Sequence, residues 1–390
     1  MRRTARSRSR FLGHLRAKAV VQRNSSPTPL TFVLFVAFCR FRLRFPGKMP
    51  RGGARPSRQP RRATDLASPA PQCCAGGSPA TPPRPIRNLE DSPEWENAFR
   101  NPMRLHLALV AALLSALSLT AETSVWKISR AGKSLYLGGT CHYLRAADMP
   151  LPPEFDTAFA DSKTIYFESN IAKLQLPETQ AALASQAMYT DGTTLDTVLS
   201  PEAWKATTAW CAKNHLPAAQ LKSLKPWMLM MTITSIELQR YGFTAEGVDV
   251  QMQAKGTAAG KRFGELESVE QQIEFITHLG EGTESALIVA TFADIGRLQK
   301  ILSEMVAAWR TGDLAQIDKL MSDEMRTKFP SVYSALIVRR NKAWLPKIEA
   351  LLATEPREFV LVGAAHLAGK DGLIEALKKK GCTVEQVKAP

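Results

Sequence analysis

The sequence predicts an α/β fold for residues 122–390: a central, mostly parallel sheet formed by strands from both ends of the chain, with a large helical insertion in the middle. Three observations carry that prediction. Leu135-Tyr-Leu-Gly-Gly-Thr-Cys-His142 is an apolar strand that runs into two glycines and then delivers a histidine. Phe359-Val-Leu-Val-Gly-Ala-Ala-His366 repeats strand and Gly-x-x-His 224 residues later. Between the two copies the apolar spacing is mostly helical. Glycine lets a backbone leave a strand at angles closed to other residues and come close to a neighbour. Open α/β sheets keep their ligands at the carboxyl ends of strands. The two histidines are therefore expected on one edge of one sheet, in a site assembled from both ends of the chain.

The residues ahead of this domain differ in kind. Residues 1–102 carry 20 Lys and Arg against 5 Asp and Glu, and the remaining residues carry 31 of each, so the net charge of +15 belongs to the leading stretch. A nucleic-acid role for the domain is thereby excluded as a reading of the charge. Runs such as Pro50-Arg-Gly-Gly-Ala-Arg-Pro-Ser-Arg bury too little apolar surface to fold. Met103 to Ala121 combines a start residue, one Arg, an apolar core and a small-residue end, the pattern of a secretory signal peptide. Translation is expected to begin at Met103, with cleavage after Ala121. Residues 1–102 are then either a basic disordered leader or a stretch wrongly joined to the true start. Export to the periplasm or the exterior follows, with membrane contact only through an uncleaved signal. Cys141, Cys211 and Cys382 lie in the domain, so one disulfide at most is available there.

In chain order, Val125–Ser129 and Ser134–Leu137 read as a hairpin around Arg130-Ala-Gly-Lys133. Glu154–Asp161 is expected to be a short helix and Thr164–Glu168 a strand. From Lys173 to about Gly242 only helices are expected, among them Pro201–Asn214 and the apolar Pro226–Tyr241, whose Met228–Met231 run reads as core. Gly247-Val-Asp249 opens a further helix that Gly256 and Gly260 should end, and Arg262–Glu267 is a strand followed by the helix Val269–Leu279. Thr283–Thr311 carries an apolar stripe at helical spacing. Pro330 starts a helix through Arg340 to Leu352, with Pro346 expected to kink it. Strand 358–362, helix 371–380 capped by Gly381, and strand Thr383–Val387 close the chain.

Four predicted strands thus deliver His142, Glu168, Glu267 and His366 at or just past their ends. Two imidazoles and a carboxylate form a workable set for a divalent metal with open positions. Such an ion activates water at neutral pH, and a remaining carboxylate serves as general base. The spacing is not His-Glu-x-x-His, so the helix-borne metalloprotease motif is absent. Each residue also has a plainer reading: a satisfied loop histidine, a helix-opening carboxylate for Glu267, a solvated charge for Arg340. Cys141 beside His142 invites a thiol nucleophile, but Ala365 takes that place in the second copy, so the repeat does not require sulfur. His215 and His278 have no such setting and read as surface residues. Ala364–Lys370 approaches a phosphate loop, yet Ala364 replaces its first Gly and Asp371 follows the Lys, so a nucleotide site is rejected.

The two Gly-x-x-His copies, the Phe-Glu168 strand, Gly-Glu-Leu-Glu267-Ser-Val-Glu-Gln-Gln and Arg340-Asn341 before Trp344 together resemble the TraB/GumN family. So does the ending Val362-Gly-Ala-Ala-His366-Leu, and the resemblance spans about residues 124–388. The family includes Tiki proteins, metal-dependent proteases that act on secreted signalling proteins, and relatives that limit peptide pheromone. Its fold is similar to that of ChaN and the erythromycin-esterase-like proteins. The resemblance implies a divalent metal (manganese, cobalt or zinc) held by His142, His366 and Glu168. It implies catalytic or pocket roles for Glu168, Glu267 and Arg340, and a peptide or protein substrate. A metal-dependent, peptidase-like hydrolase is the expected function. The competing class is a binding protein that sequesters a peptide or small ligand without chemistry.

Overall fold

Strand β1 (Val125–Arg130) and strand β2 (Lys133–Thr140) pair antiparallel with Arg130 opposite Lys133, so the connection is two residues long. Ala131 and Gly132 both have positive φ, 51° and 79°, which matches the type I′ turn that the right-handed twist of two strands favours. The structure, a computed structural model, describes residues 123–354 and 357–388. The basic stretch 1–102 and the export signal at 103–121 lie outside the described residues.

Six strands form one sheet, with β3 (Thr164–Phe167), β4 (Arg262–Glu265), β5 (Glu358–Gly363) and β6 (Thr383–Gln386) completing it. The order is β4-β3-β5-β2-β1-β6. The pairs β3–β4, β3–β5 and β2–β5 are parallel, and β1 pairs antiparallel with β2 and with β6. The expected mixed, mostly parallel sheet with strands from both chain ends is therefore present. β5 is buried along its whole length, as a central parallel strand covered on both faces must be.

Helices supply both covers. Helix α1 (Pro153–Asp161) follows β2, and α2 (Pro177–Gln186), α3 (Pro201–Lys213), α4 (Pro226–Arg240) and α5 (Val248–Ala258) fill the insertion between β3 and β4. Between β4 and β5 come α6 (Val269–Thr277), α7 (Glu284–Asp294), α8 (Leu298–Thr311), α9 (Leu314–Met321) and α10 (Arg339–Leu352), with shorter turns among them. Helix α11 (Leu373–Lys379) leads into β6. On one side of the sheet, Trp344, Ile348 and Leu352 of α10 and Leu373, Ile374 and Leu377 of α11 pack with Ile128, Leu135, Leu137, Val360 and Val362. On the other side Phe155 of α1 stacks on Trp309 of α8 and Phe359 of β5, with centroids 5.9 and 6.2 Å apart. Met228 to Met231 are buried in α4, so the methionine run is core.

The stripe Thr283–Thr311 is helical, as its spacing predicts, and runs over two helices joined by a 3₁₀ turn at Ile295–Arg297. Several expectations need correction. Gly256 sits inside α5 rather than ending it. An added Cβ there would lie 2.9 Å from the Phe263 ring, so its role is close packing, while Gly260 turns the chain with φ +67°. The residues Pro330–Tyr333 pass through a π-helical segment, Ser334–Val338, before α10 begins. Pro346 lies inside α10, where it has no backbone N–H to give to the carbonyl four residues back. The possible disulfide does not form among the described residues: Cys141, Cys211 and Cys382 are all buried thiols.

Candidate functional site

The parallel register sets Gly138 beside Leu361, Gly139 beside Val362 and Thr140 beside Gly363. Both motif histidines therefore leave the same edge of neighbouring strands, as the repeated motif predicts. Of the two reasons expected for the glycines, close approach applies at Gly139 and unusual backbone angles do not. Gly363 has φ −53°, and neither it nor Gly139 has a positive φ. Gly139 is needed because a Cβ would stand 3.0 Å from Leu367 and 3.3 Å from Ala364 of the second copy. The end of β2 is further fixed by Trp309, whose indole N–H donates to the Gly139 carbonyl at 2.7 Å.

His366 is fully buried and held on all sides. The Nδ2 group of Asn341 donates to the backbone carbonyls of His366 and Asp371, at 3.0 and 2.9 Å, so its Oδ1 is the acceptor for His366 Nδ1 at 2.7 Å. That assigns the ring proton to Nδ1 and the lone pair to Nε2. The lone pair meets Nη1 of Arg340 at 3.2 Å, and the Trp344 ring covers the imidazole with centroids 4.5 Å apart.

Arg340 gathers the carboxylates. Its Nε and Nη2 fork onto Glu267 at 3.0 and 2.6 Å, and Nη2 also donates to Glu168 Oε2 at 2.7 Å. Glu168 uses its other oxygen to accept the backbone N–H of Gly363 at 2.6 Å, so a residue from β3 caps the glycine that ends β5. Arg340 is only 7% exposed, between the rings of Phe275 and Trp344. Burial alone would depress its pKa, but Glu267 and Glu168 outweigh that and push it up, so the guanidinium is permanently charged. The preceding π turn fits this role, since π segments in helices recur at functional positions.

His142 is turned to a different partner. Its Nδ1 lies 2.5 Å from Oδ2 of Asp249, and both side chains are buried. Asp249 is in the first turn of α5, and the loop carrying His142 is stapled to that turn by the Val248 N–H to Cys141 carbonyl bond at 3.0 Å. A paired bridge between Leu144 and Thr244 secures the next residues. A Cβ at Gly247 would be 2.2 Å from the Cys141 carbonyl oxygen, so only glycine lets the two segments approach. Burial first, then Asp249 and Asp148, push the Cys141 thiol well above its usual range, which removes it as a nucleophile.

A cleft of roughly 480 Å³ opens between α6 and α10 and reaches Glu267, Arg340 and Trp344. Sequence reasoning set His278 aside as a surface residue; it is exposed, yet it lines this cleft with Phe275 and Glu274. Asp249 was read only as a helix opener, and Asn341 only through the resemblance. His215 is exposed, as expected.

The donor types, imidazole and carboxylate, are those a divalent metal takes, but among the described residues they are not gathered around one point. Each histidine has Nδ1 at a side-chain oxygen, the arrangement that presents Nε2 to a metal. Three buried carboxylates, Glu168, Glu267 and Asp249, stand against the single guanidinium of Arg340. The Nη1 contact to His366 is the longest made by Arg340, and it could yield without disturbing the fork on Glu267. Among the described residues, no three His, Cys, Asp or Glu side chains converge as a ready metal cage. Arg340, a cation, sits among the acceptors in this arrangement.

The chain is 29% identical to the uncharacterized protein YbaP of Escherichia coli over 153 residues, 39% of this chain and 56% of that protein. It is 24% identical to metalloprotease TIKI1 of Danio rerio over 323 residues, covering 68% of this chain and 63% of the relative. A second zebrafish relative, metalloprotease TIKI2, is 22% identical over 304 residues, 64% of this chain and 58% of its own. The chain thus spans somewhat more than half the length of these relatives. No solved structure matches it. The profile of the TraB/PrgY/gumN family matches residues 124–386, and the chain belongs to that family.

Proposed function

We propose that the chain is an exported, metal-dependent hydrolase that acts on peptide bonds. The observation that carries this reading is the pair of histidines at the ends of adjacent parallel strands, each with Nδ1 tied to a side-chain oxygen. The distant likeness to metalloproteases supports it. In this reading His142, His366 and Glu168 would hold a divalent ion (manganese, cobalt or zinc). When bound, such an ion makes water nucleophilic at neutral pH. Asp249 and Asn341 keep the two imidazoles in the tautomer that leaves Nε2 unprotonated. Glu267, the carboxylate that lines the cleft, takes the proton from the attacking water. Arg340 holds Glu267 in position for that step through its Nε and Nη2 bonds. The signal-like segment Met103–Ala121 delivers the domain to the periplasm or the exterior.

The test is metal content of the purified protein, followed by hydrolysis of a mixed peptide pool with and without chelator. Bound metal and chelator-sensitive cleavage are expected. Metal-free protein without such cleavage overturns the reading in favour of a peptide- or small-ligand-binding protein. One observation favours that second reading: Arg340 already satisfies Glu168, Glu267 and His366.

A further inference from the structure

The cleft wall contributed by α10 carries charge that the site does not use. Arg339 and Lys347 both line it, two helical turns apart, with Ala343 between them leaving the space open. Arg339 is exposed and makes no ion pair among the described residues. Lys347 donates to the backbone carbonyl of Leu266 at 2.5 Å, which uses one N–H and leaves its charge unmatched. Facing them on α6 is Glu274. Arg340, by contrast, is consumed by Glu267 and Glu168 and offers no charge to the cleft.

We infer that this cleft selects an extended acidic peptide whose two carboxylates meet Arg339 and Lys347, a specificity that rests on the peptide-hydrolase reading of the neighbouring site. Eight helical residues separate the cations by about 12 Å along the axis at 1.5 Å per residue. An extended chain covers that distance in about three to four residues at ~3.3 Å each. The matching ligand therefore has one carboxylate at its free C-terminus or on a side chain and a second three to four residues away. Phe275, half-buried in the cleft wall, gives the intervening residues an apolar surface to lie on. The volume suits a short segment of this kind, since clefts of ~300–1,000 Å³ hold ligands of drug size.

The experiment is calorimetric binding to the purified protein of four synthetic peptides: Ac-Glu-Ala-Phe-Ala with a free C-terminus, its C-terminal amide, the Gln analogue with a free C-terminus, and the Gln analogue as amide. Binding is read directly, so it does not depend on cleavage. The doubly acidic peptide is expected to bind roughly tenfold or more tighter than the doubly neutral one, as two charge-assisted contacts in a partly enclosed cleft allow. The two singly charged peptides distinguish a terminal from a side-chain carboxylate. Arg339→Gln and Lys347→Gln should each erase part of the preference, and Glu274→Gln should increase it. All three side chains are exposed, so an unchanged melting temperature certifies the fold. Peptides that bind with equal affinity whatever their charge overturn the acidic preference while leaving the hydrolase reading standing. If no peptide binds while a metal-dependent activity on other substrates is found, the inference and its peptide premise both fall.

Discussion

Arg340→Met is the sharpest perturbation of this site, because it removes one cation from between two buried carboxylates. Glu168 is 1% and Glu267 8% exposed, and Arg340 supplies both with charge-assisted bonds of 2.6 to 3.0 Å. Breaking a buried ion pair by deleting one partner costs roughly 3–5 kcal/mol, since the remaining charge is stranded. In a domain of this size that is a loss of roughly 6–20 °C in melting temperature. The sign of the pH dependence follows. Buried carboxylates left without a cation have raised folded-state pKa values, so the folded variant binds more protons than its unfolded chain. The deficit is then largest at neutral pH and shrinks as pH falls through the carboxylate range. The parent lacks this recovery, because Arg340 stays charged throughout. Urea unfolding of parent and variant between neutral and mildly acid pH measures both effects. Adding Glu168→Gln and Glu267→Gln to Arg340→Met should restore most of the stability, because no buried charge then remains. A single variant within about 1 kcal/mol of the parent at neutral pH, well inside the range of surface pairs, would refute the buried counter-ion argument.

Three further outcomes are expected. Asp249→Ala releases the Nδ1 of His142 and should lower metal affinity about 10–100-fold, measured by competition with a chromogenic chelator; unchanged affinity would remove His142 from the metal set. Gly247→Ala forces a methyl against the Cys141 carbonyl and should destabilise the domain by about 2 kcal/mol or more while shifting the His142 resonances in an imidazole NMR spectrum; an unshifted spectrum would contradict the close approach. Tyr333, raised to about 12 first by burial and then by its bond to Asp371, should ionise well above the ordinary tyrosine range in an ultraviolet titration. Its neutral form is favoured in the folded state, so its contribution is constant below about 10 and is lost between about 10 and 12.

The sheet was legible because its signals are local. Apolar runs ending in glycine mark β2 and β5, and Ala131-Gly132 between Arg130 and Lys133 fixes the hairpin. That Glu168 lies at the same edge as the histidines also follows from a strand ending in a polar residue. The partners that hold the site together were much less visible. Asp249 is 107 residues from His142 and looks like any carboxylate in the first turn of a helix. Asn341 and Arg340 sit on a helix whose charge pattern is shared by ordinary surface helices, and only the family resemblance singled them out. The apolar stripe of 283–311 continues through Gly296 without a phase break obvious to the eye, so its division into α7 and α8 was hidden. Of the two roles the sequence suggests for the motif glycines, close approach of the two copies decides Gly139, and φ does not.

The strand order also divides the site into two halves with different mechanical support. β5 lies between β2 and β3, so the residues after it are reached from β3 by Glu168, from α10 by Arg340 and Asn341, and from Gly139 across the sheet. Arg340, Asn341 and Trp344, which hold the His366 ring, all come from α10, the helix packed on the apolar face of the sheet. His142 has no such frame. It follows β2 into a loop whose position depends on Gly247, Val248 and Thr244, all from the helical insertion between β3 and β4. The Arg340 cluster and the His142 loop therefore depend on different parts of the chain. In the proposed hydrolase, Asp249 is thus the point at which the insertion acts on the metal, through the imidazole of His142.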